Sequence, residues 1–290
     1  MNIGNINIDS NSSVFPKNDK KICHILKPAG MPQASHWDLK VALRGYLRCN
    51  LESMENSKLM NRVDTKYILP RSYLYKLLHE LQGKYCVLDI NGEQVFTYEN
   101  QYYDTEDFEF FRKHHNGKQN RYKVRSRSYL ETGSSFLEVK FKNNKSRTIK
   151  KRIEIASDDS DKSNQVVFLQ NQFEDYGLEA LIKSQYSVYN RLTLVNEVSQ
   201  ERVTLDFNLS YKKGENDPYE VKLDNLCIAE LKQGNKNIRS DFAALMRRYC
   251  LQPISFSKYC IGCSLLYPQT LKSNRFKPIL REINRIAGCQ

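Results

Sequence analysis

Hydrophobic and polar residues alternate along eight separate stretches of this chain, and each stretch predicts a β-strand. Successive side chains of a strand point to opposite faces of its sheet. In six of the eight stretches, one face therefore carries at least one Lys or Arg, and the other carries apolar or aromatic residues. The predicted strands are Arg62–Leu69, Val95–Asp104, Arg121–Tyr129, Phe136–Lys142, Arg147–Ile155, Ser187–Leu194, Arg202–Phe207 and Ile228–Lys232.

Apolar residues at helical spacing predict amphipathic helices around these strands. Ser240 is a suitable N-cap for one helix, and Gly83 is placed to end another. The predicted helices are 34–60, which packs on the body of the protein, Tyr73–Leu81, 166–181, 241–249 and 256–266. Residues 1–33 are rich in Asn, Ser, Lys and Pro, which predicts a disordered arm.

Two arrangements of the predicted strands agree with this alternation. A sheet with water on one face would show the same alternation. In the second arrangement, the apolar faces of the strands turn outward beneath helices and the charged faces turn inward. Two features favour it. Amphipathic helices need an apolar surface to cover, and carboxylates recur beside the cations on the charged faces. The expected fold is therefore α+β, an eight-stranded antiparallel β barrel with a charged lumen, wrapped by helices. These carboxylates are Asp64, Glu138, Glu154, Asp206 and Glu230.

The predicted strand 121–129 places four cations on one face, namely Arg121, Lys123, Arg125 and Arg127. Neighbours in this row stand about 7 Å apart and repel one another unless an anion lies among them. A single phosphate is too short for the row, whereas a linear chain of phosphates fits it. The whole chain has 45 Lys and Arg against 33 Asp and Glu, a net charge of +12. An anionic partner is expected, and charge alone leaves nucleic acid, anionic membrane, nucleotides and polyphosphate as candidates.

The cysteine pattern favours a reduced, cytoplasmic protein. Eight cysteines show no regular spacing, and the N-terminus has no charged-then-apolar leader. The close pair Cys260-x-x-Cys263 has no second pair to complete a zinc site and lies in an apolar helical pattern. No run of about 18 apolar residues predicts a transmembrane helix.

Seven short motifs follow one another along the chain. They are Arg62-x-Asp-x-Lys66-Tyr67, Tyr102-Tyr103-Asp104-Thr105, Arg121-x-Lys-Val-Arg125-x-Arg127-x-Tyr129, Leu137-Glu138-Val139-Lys140, Tyr189-Asn190-Arg191, Arg202-x-Thr-Leu-Asp206 and Ala229-Glu230-Leu231-Lys232. In this order they resemble the vacuolar-transporter-chaperone (VTC) domain, the polyphosphate-polymerase branch of the triphosphate tunnel metalloenzymes, or CYTH-like superfamily. The resemblance implies one tunnel domain over residues 61–268, followed by a basic tail at 269–290.

Members of that family bind ATP and a growing polyphosphate chain in an eight-stranded tunnel, where a glutamate holds Mn²⁺ or Mg²⁺. The resemblance implies that Glu230 is the metal ligand, with Asp206 or Glu138 assisting. It implies a catalytic, phosphate-gripping set of Lys66, Arg125, Arg127, Lys140, Arg191 and Lys258. Further cations expected to bind substrate are Arg62, Arg121, Lys123, Lys142, Arg202 and Lys232. Arg112 or His115 is a candidate for one more basic position.

Three functions remain open from the sequence. The first strand lacks the Glu-x-Glu-x-Lys signature of the triphosphatase branch, which favours a polymerase-like activity. The leading hypothesis is metal-dependent transfer of the γ-phosphoryl group of ATP to a phosphate or polyphosphate chain. The second is metal-dependent hydrolysis of tripolyphosphate or a nucleoside triphosphate. The third is a non-catalytic module for polyphosphate or nucleic acid, since the net charge suits phosphates and the 18 tyrosines suit base stacking.

Overall fold

Eleven strands form one sheet in the part of the chain that the structure describes. The computed structural model describes residues 39–52, 63–145, 147–156, 162–173, 181–234 and 239–288. The strands are β1 (Leu47–Cys49), β2 (Val63–Pro70), β3 (Cys86–Leu88), β4 (Val95–Thr105), β5 (Arg121–Tyr129), β6 (Ser134–Lys142), β7 (Thr148–Ile155), β8 (Leu181–Asn196), β9 (Glu201–Lys212), β10 (Val221–Leu223) and β11 (Leu226–Gln233).

Helices flank this sheet. They are α1 (Leu39–Leu43), α2 (Tyr73–Leu81), α3 (Glu109–His115), α4 (Lys162–Gln170), α5 (Asp241–Arg248), α6 (Lys258–Leu266) and α7 (Lys277–Ala287), with a 3₁₀ turn at Asn274–Phe276. Ser240 caps α5 as predicted, because its side chain accepts the N–H of Ala243 at 3.0 Å. Ser257 caps α6 in the same way. None of the helices described here is long and apolar enough to cross a membrane.

Eight strands form a continuous antiparallel path in the order β2-β11-β9-β8-β4-β5-β6-β7. These are the eight strands that the alternation predicts. The three short strands sit beside the path: β10 pairs with β9, β3 pairs with β8, and β1 pairs in parallel with β3. Within the described residues β2 and β7 do not pair with each other. The antiparallel α+β architecture is confirmed, but the closed eight-stranded barrel is not.

One face of the sheet is apolar, and helices cover it. Leu77 of α2 and Phe242 of α5 pack with Leu205 of β9 in one buried cluster. Phe110 of α3 packs with Leu137 of β6 in another. Full burial of each such side chain stabilises the fold by about 1.5–3 kcal/mol. Helices α2 and α5 and Phe110 of α3 therefore lie on the apolar face. Helix α6 instead packs on the face that carries the charged residues, against Ile68, Ile228, Tyr102 and Tyr189.

The charged face is concave. In a flat sheet, the five strand spacings from β2 to β5 would separate Lys66 from Lys123 by about 24 Å. The sheet instead curls, because the four residues 254–257 contact both lysines and can span at most about 14 Å. The segment before α6 spans the same gap. The N–H of Ile254 donates to the Lys66 carbonyl at 2.8 Å, and Ser257 Oγ accepts from Lys123 Nζ at 2.9 Å.

Four stretches differ from the sequence prediction. The helix predicted at 166–181 is α4, which spans Lys162–Gln170, and Leu181 is the first residue of β8. In the described part of 34–60, five-residue α1 is followed by strand β1, because pairing with β3 overrides the helical spacing of Leu47. The link after β4 contains α3, whose start is fixed by the Asp104 carboxylate accepting two backbone N–H groups. The tail after residue 268 contains the amphipathic helix α7. The predicted arm 1–33 and Arg62 lie outside the described residues.

The cysteines differ from the expected set of reduced thiols at one position. Cys250 is disulfide-bonded, and disulfide pairing depends on proximity in space that sequence spacing does not show. Cys260 and Cys263 are buried in α6 and belong to no metal-binding group among the described residues. Among the described residues, the free thiols are Cys49, Cys86, Cys227, Cys260 and Cys263.

Candidate functional site

The charged positions of the alternating strands meet on the concave side of the sheet, here called the cationic face. Register places Arg125 opposite Glu138 and Lys123 opposite Lys140 across β5 and β6. On the other side of the curl, Lys66 of β2 lies opposite Glu230 of β11. The charged side chains of the cationic face are Asp64, Lys66, Arg121, Lys123, Arg125, Arg127, Glu138, Lys140, Lys142, Lys150, Arg152, Glu154, Arg191, Arg202, Asp206, Glu230 and Lys232.

Glu138 anchors the first group of ion pairs. Its Oε2 accepts from Arg125 Nε at 2.8 Å and Nη2 at 2.6 Å, and its other oxygen contacts Lys150. The side chain is fully buried. Burial raises the pKa of Glu138, but the charges of Arg125, Arg127 and Lys150 lower it by more. The pKa of Glu138 is therefore well below its usual value. Glu138 therefore stays ionised and fixes the Arg125 guanidinium.

Asp206 anchors the second group. Arg191 binds it with two parallel hydrogen bonds, Nε to Oδ1 at 2.6 Å and Nη2 to Oδ2 at 2.8 Å. Lys258, the first residue of α6, contacts the same carboxylate. Burial raises the pKa of Asp206, but Arg191 and Lys258 together lower it to about 2. This carboxylate joins a strand arginine to a helix lysine on the cationic face.

Glu230 anchors the third group, on the opposite side of the curl. Its Oε1 lies 2.8 Å from the Nζ atoms of both Lys66 and Lys232, and Lys232 also contacts Asp64 at 3.3 Å. Burial raises the pKa of Glu230, and Lys232 and Lys66 lower it to well below the usual value overall. Two predicted phosphate contacts and the predicted metal ligand are thus brought together.

Several cations of the cationic face, among them Arg127, Lys123 and Lys140, have no carboxylate partner among the described residues. Arg127 donates only to neutral groups, Asn100 Oδ1 and Tyr189 Oη, both at 2.8 Å. Lys123 donates to Ser257. The pKa of Lys140 lies well below its usual value because of the charge of Arg125, then burial and the charge of Arg127. Cations held without a counter-ion in this way leave their charge available to an anionic ligand.

A row of tyrosines supports these cations. Tyr98 of β4 lies between Tyr129 of β5, with ring centroids 4.8 Å apart, and Tyr189 of β8, 5.2 Å away and stacked. The Arg127 and Arg191 guanidinium carbons lie 4.9 and 4.8 Å from the Tyr98 ring centroid. Lys258 Nζ lies 4.5 Å from the Tyr189 centroid. Cation–π contacts of this kind hold like charges close together without neutralising them.

One end of the cationic face is free of ion pairs in the described part of the chain. Arg121 and Lys142 lie directly opposite each other across β5 and β6, a like-charge pairing that destabilises a sheet. Arg275, before α7, and Lys123 add charge at the same end. The pKa of His114 is lowered to about 2, mainly by burial and also by the charges of these four cations. His114 is therefore neutral here. This end offers positive charge and no carboxylate.

The three predicted metal ligands do not form one site. Glu138, Asp206 and Glu230 each lie in a separate ion-paired group, and no three His, Cys, Asp or Glu side chains of the described residues come together to hold a metal. Hard cations need several oxygen ligands. Glu230 fits the role of a single carboxylate ligand, since it lies on the cationic face beside Lys66 and Lys232, where substrate phosphate oxygens and water could complete the shell.

The remaining predicted residues are placed as follows. Arg202 lies on the cationic face, opposite Lys232 across β9 and β11. Arg112 is exposed and pairs with Asp107, so it does not join the groups above. His115 is bonded to Asn116 and also accepts hydrogen bonds from Arg275, which lies at the basic end of the cationic face. Alternation in the predicted strand Arg147–Ile155 puts Lys150 on its charged side, but Lys150 is not among the predicted site residues. The tyrosine row is not predicted, because the tyrosines meet only through strand pairing.

The described residues define an α+β protein with a curled antiparallel sheet, a cationic concave face and helices on the apolar face. More particularly, the chain belongs to the VTC domain family, whose pattern matches residues 61–267. The resemblance carried by the seven motifs is thereby confirmed. No curated protein matches the chain.

Two solved structures are among those to which this chain is similar. A "putative adenylate cyclase" from Vibrio parahaemolyticus is 14% identical, with a TM-score of 0.41, and the match covers 69% of this chain and 97% of that one. A "putative adenylyl cyclase" from Hippeastrum, described as having a dominant triphosphatase activity, is 13% identical. Its TM-score is 0.45, and the match covers 73% of this chain and 99% of that one.

Proposed function

We propose that this protein transfers the γ-phosphoryl group of ATP to a phosphate or polyphosphate chain bound along the cationic face. The observation that carries the proposal is the row of cations from Arg127 to Arg121, with Lys140 and Lys142 facing it across β6. The row is about 20 Å long, and its cations lack carboxylate partners at several positions. A linear chain of phosphates would neutralise such a row along its length, whereas a single phosphate would not.

The proposed roles follow from charge and position. Arg125, Arg127, Arg191 and Lys140 would hold the β- and γ-phosphates, while Lys66 and Lys258 would approach them from β2 and α6. Phosphoryl transfer depends mainly on alignment and charge neutralisation. An acceptor phosphate is already an anion, so the reaction needs no side chain that acts as a general base.

A divalent metal, Mn²⁺ or Mg²⁺, would be held by Glu230 together with phosphate oxygens. When bound, it would supply charge neutralisation at the transferring group. Lys66 and Lys232 hold the Glu230 carboxylate in place on the cationic face at 2.8 Å. The proposal includes a cytoplasmic location for the protein, where ATP is available.

The first test removes Arg127, which is the most informative cation because its partners are neutral. Arg127→Gln leaves no buried carboxylate unpaired, so the variant should fold. We expect tripolyphosphate binding, measured by calorimetric titration, to weaken at least tenfold, because a charge-assisted contact contributes about 1.5–3 kcal/mol. The exposed Arg281 of α7 gives the matched control, and Arg281→Gln should bind normally. Unchanged binding by a folded Arg127→Gln protein would remove the phosphate assignment.

The second test identifies the reaction. After incubation with ATP and Mn²⁺, phosphate chains visible on a gel would support transfer. Free orthophosphate without chains would show hydrolysis instead. Tight binding of tripolyphosphate with neither product would show a binding module, and the transfer proposal would then be wrong.

A further inference from the structure

Two aromatic rings on the cationic face have no part in the hydrophobic core. Tyr129 ends β5 and Phe136 lies in β6, and both side chains are half-buried. Neither belongs to any of the buried hydrophobic clusters, whereas the aromatic residues Tyr122 and Phe110 on the other face do. Burial in a core therefore does not explain why large rings stand at these two positions.

The rings lie together at one end of the face. Their centroids are 6.0 Å apart and nearly perpendicular, at 75°. Arg127 lies directly opposite Phe136 across the two strands, and its guanidinium carbon is 6.0 Å from the Tyr129 centroid. Arg152 of β7 covers Phe136 at 4.5 Å. Glu154 of β7 lies directly opposite Phe136 as well. The result is a half-open aromatic corner bordered by two guanidinium groups and one carboxylate.

The two ends of the cationic face are chemically different. Tyr129 is about 14 Å from Arg125 along β5, at about 3.4 Å per residue. That span matches an extended nucleoside triphosphate from its base to its terminal phosphate. Toward the other end, the inward positions of the same strands hold Lys123, Arg121 and Lys142, without an aromatic ring. The face therefore has an aromatic end and a basic end.

We propose that Tyr129 and Phe136 form the stacking site for the base of the donor nucleoside triphosphate. The phosphates then extend toward Arg125, and the acceptor chain lies toward Arg121 and Lys142. Aromatic side chains stack on any nucleobase, and guanidinium groups add a contact of the same kind. This inference rests on the proposed function, because it gives the bound nucleotide a direction.

Comparison of ATP with tripolyphosphate, which has no base, tests this site. Tyr129→Leu and Phe136→Leu remove a ring and keep an apolar side chain of moderate size. Each should weaken ATP binding about fivefold to a hundredfold in a calorimetric titration. Phe136→Leu should leave tripolyphosphate binding within about twofold of the unmodified protein, which also shows that the variant is folded. Tyr129→Leu also removes a ring beside Arg127, so it should weaken tripolyphosphate binding slightly and ATP binding by a clearly larger factor. Tyr129→Phe keeps the ring and should bind ATP normally.

The matched control is Phe141→Leu, which removes a ring from the opposite face of the same strand β6, where Phe141 contacts Tyr122. It should change neither affinity. If the Tyr129 and Phe136 variants lose ATP and tripolyphosphate equally, or lose neither, the base site is wrong. If the unmodified protein does not bind tripolyphosphate, the proposed function itself fails, and the two failures are therefore distinguishable.

Discussion

Lys140 shows how single residues of this face are adjusted for an anion. Its position opposite Lys123, and beside Arg125 and Arg127, places its ammonium group among like charges. The pKa of Lys140 is well below its usual value, chiefly because of the Arg125 charge. A phosphate bound here favours the protonated amine and raises that pKa. Binding is therefore coupled to proton uptake.

We predict that tripolyphosphate binding takes up protons at Lys140. The sign follows from linkage: between the lowered pKa of the free protein and the higher pKa of the complex, the complex holds more protons. Apparent affinity should then fall as pH rises through the lowered pKa. Calorimetric titration in buffers of different ionisation enthalpy measures the uptake.

Lys140→Arg provides the control, because a guanidinium group keeps the charge but does not titrate in this range. That variant should bind with smaller proton uptake, and the difference excludes protonation of the ligand itself. Equal uptake by the variant and the unmodified protein would show that Lys140 is not the titrating group.

Among the secondary-structure elements, α6 completes the cationic face. Its cap, Ser257, bonds Lys123, its first residue, Lys258, contacts Asp206, and its Tyr259 hydroxyl bonds the buried Asp104. The Asp104 carboxylate also receives backbone N–H groups at the start of α3. One helix is therefore tied to three places on the sheet and its flanking helix, which fixes where Lys258 stands.

We predict that Gly262→Ala displaces α6. A Cβ at Gly262 would lie 2.4 Å from Gln185 Oε1 and 2.5 Å from Tyr211 Cδ1, and Tyr211 is fully buried. Overpacking of this kind costs about 1–3 kcal/mol. Urea denaturation should show that loss, and tripolyphosphate binding should weaken because Lys258 moves with the helix.

Gly214→Ala is the control for this substitution, since nothing lies within 4 Å of its Cβ position. It should leave both stability and binding nearly unchanged. Equal stabilities for the Gly262 and Gly214 variants would contradict the close packing of α6 on the sheet.

The same scale shows which elements the sequence could predict. Period-2 alternation predicts all eight strands of the sheet path, and β5 matches the predicted bounds. The three-residue strand β1 shows why other elements cannot be predicted from the sequence. Leu47 continues a helical spacing, and only its pairing with Cys86 makes it part of a strand. The start of α3 depends on Asp104, which acts from a neighbouring strand.

In the candidate site, too, some features could be predicted from the sequence and others could not. The cations of the face follow from alternation and motif resemblance, because each lies at a predictable strand position. Their grouping does not. Glu138, Asp206 and Glu230 were expected to share metal binding, but strand order places them in three separate ion-paired groups. The Tyr98 row likewise depends on β4 lying between β5 and β8.

Across the whole molecule, curling the sheet brings like charges together. Cations outnumber carboxylates on the concave face, in a chain whose net charge is +12. This repulsion is present in the folded protein and weakens as the charges separate on unfolding, so it reduces the stability of the free protein. The helices on the apolar face must offset it. A phosphate chain that neutralises the face should therefore stabilise the fold as a whole.

We predict a large thermal shift on adding tripolyphosphate. Ligand at about 100 times its Kd stabilises the folded state by about 2.7 kcal/mol, which raises Tm by about 5–10 °C for a domain of this size. Higher salt should raise the Tm of the free protein and reduce the shift, because it screens the same repulsion. Lys151→Ala, at an exposed position on the opposite face of β7, should keep the shift, whereas Arg127→Gln should lose about half of it or more. A shift that is the same for both variants, or insensitive to salt, would mean that the ligand binds elsewhere and that the cationic face is only a charged surface.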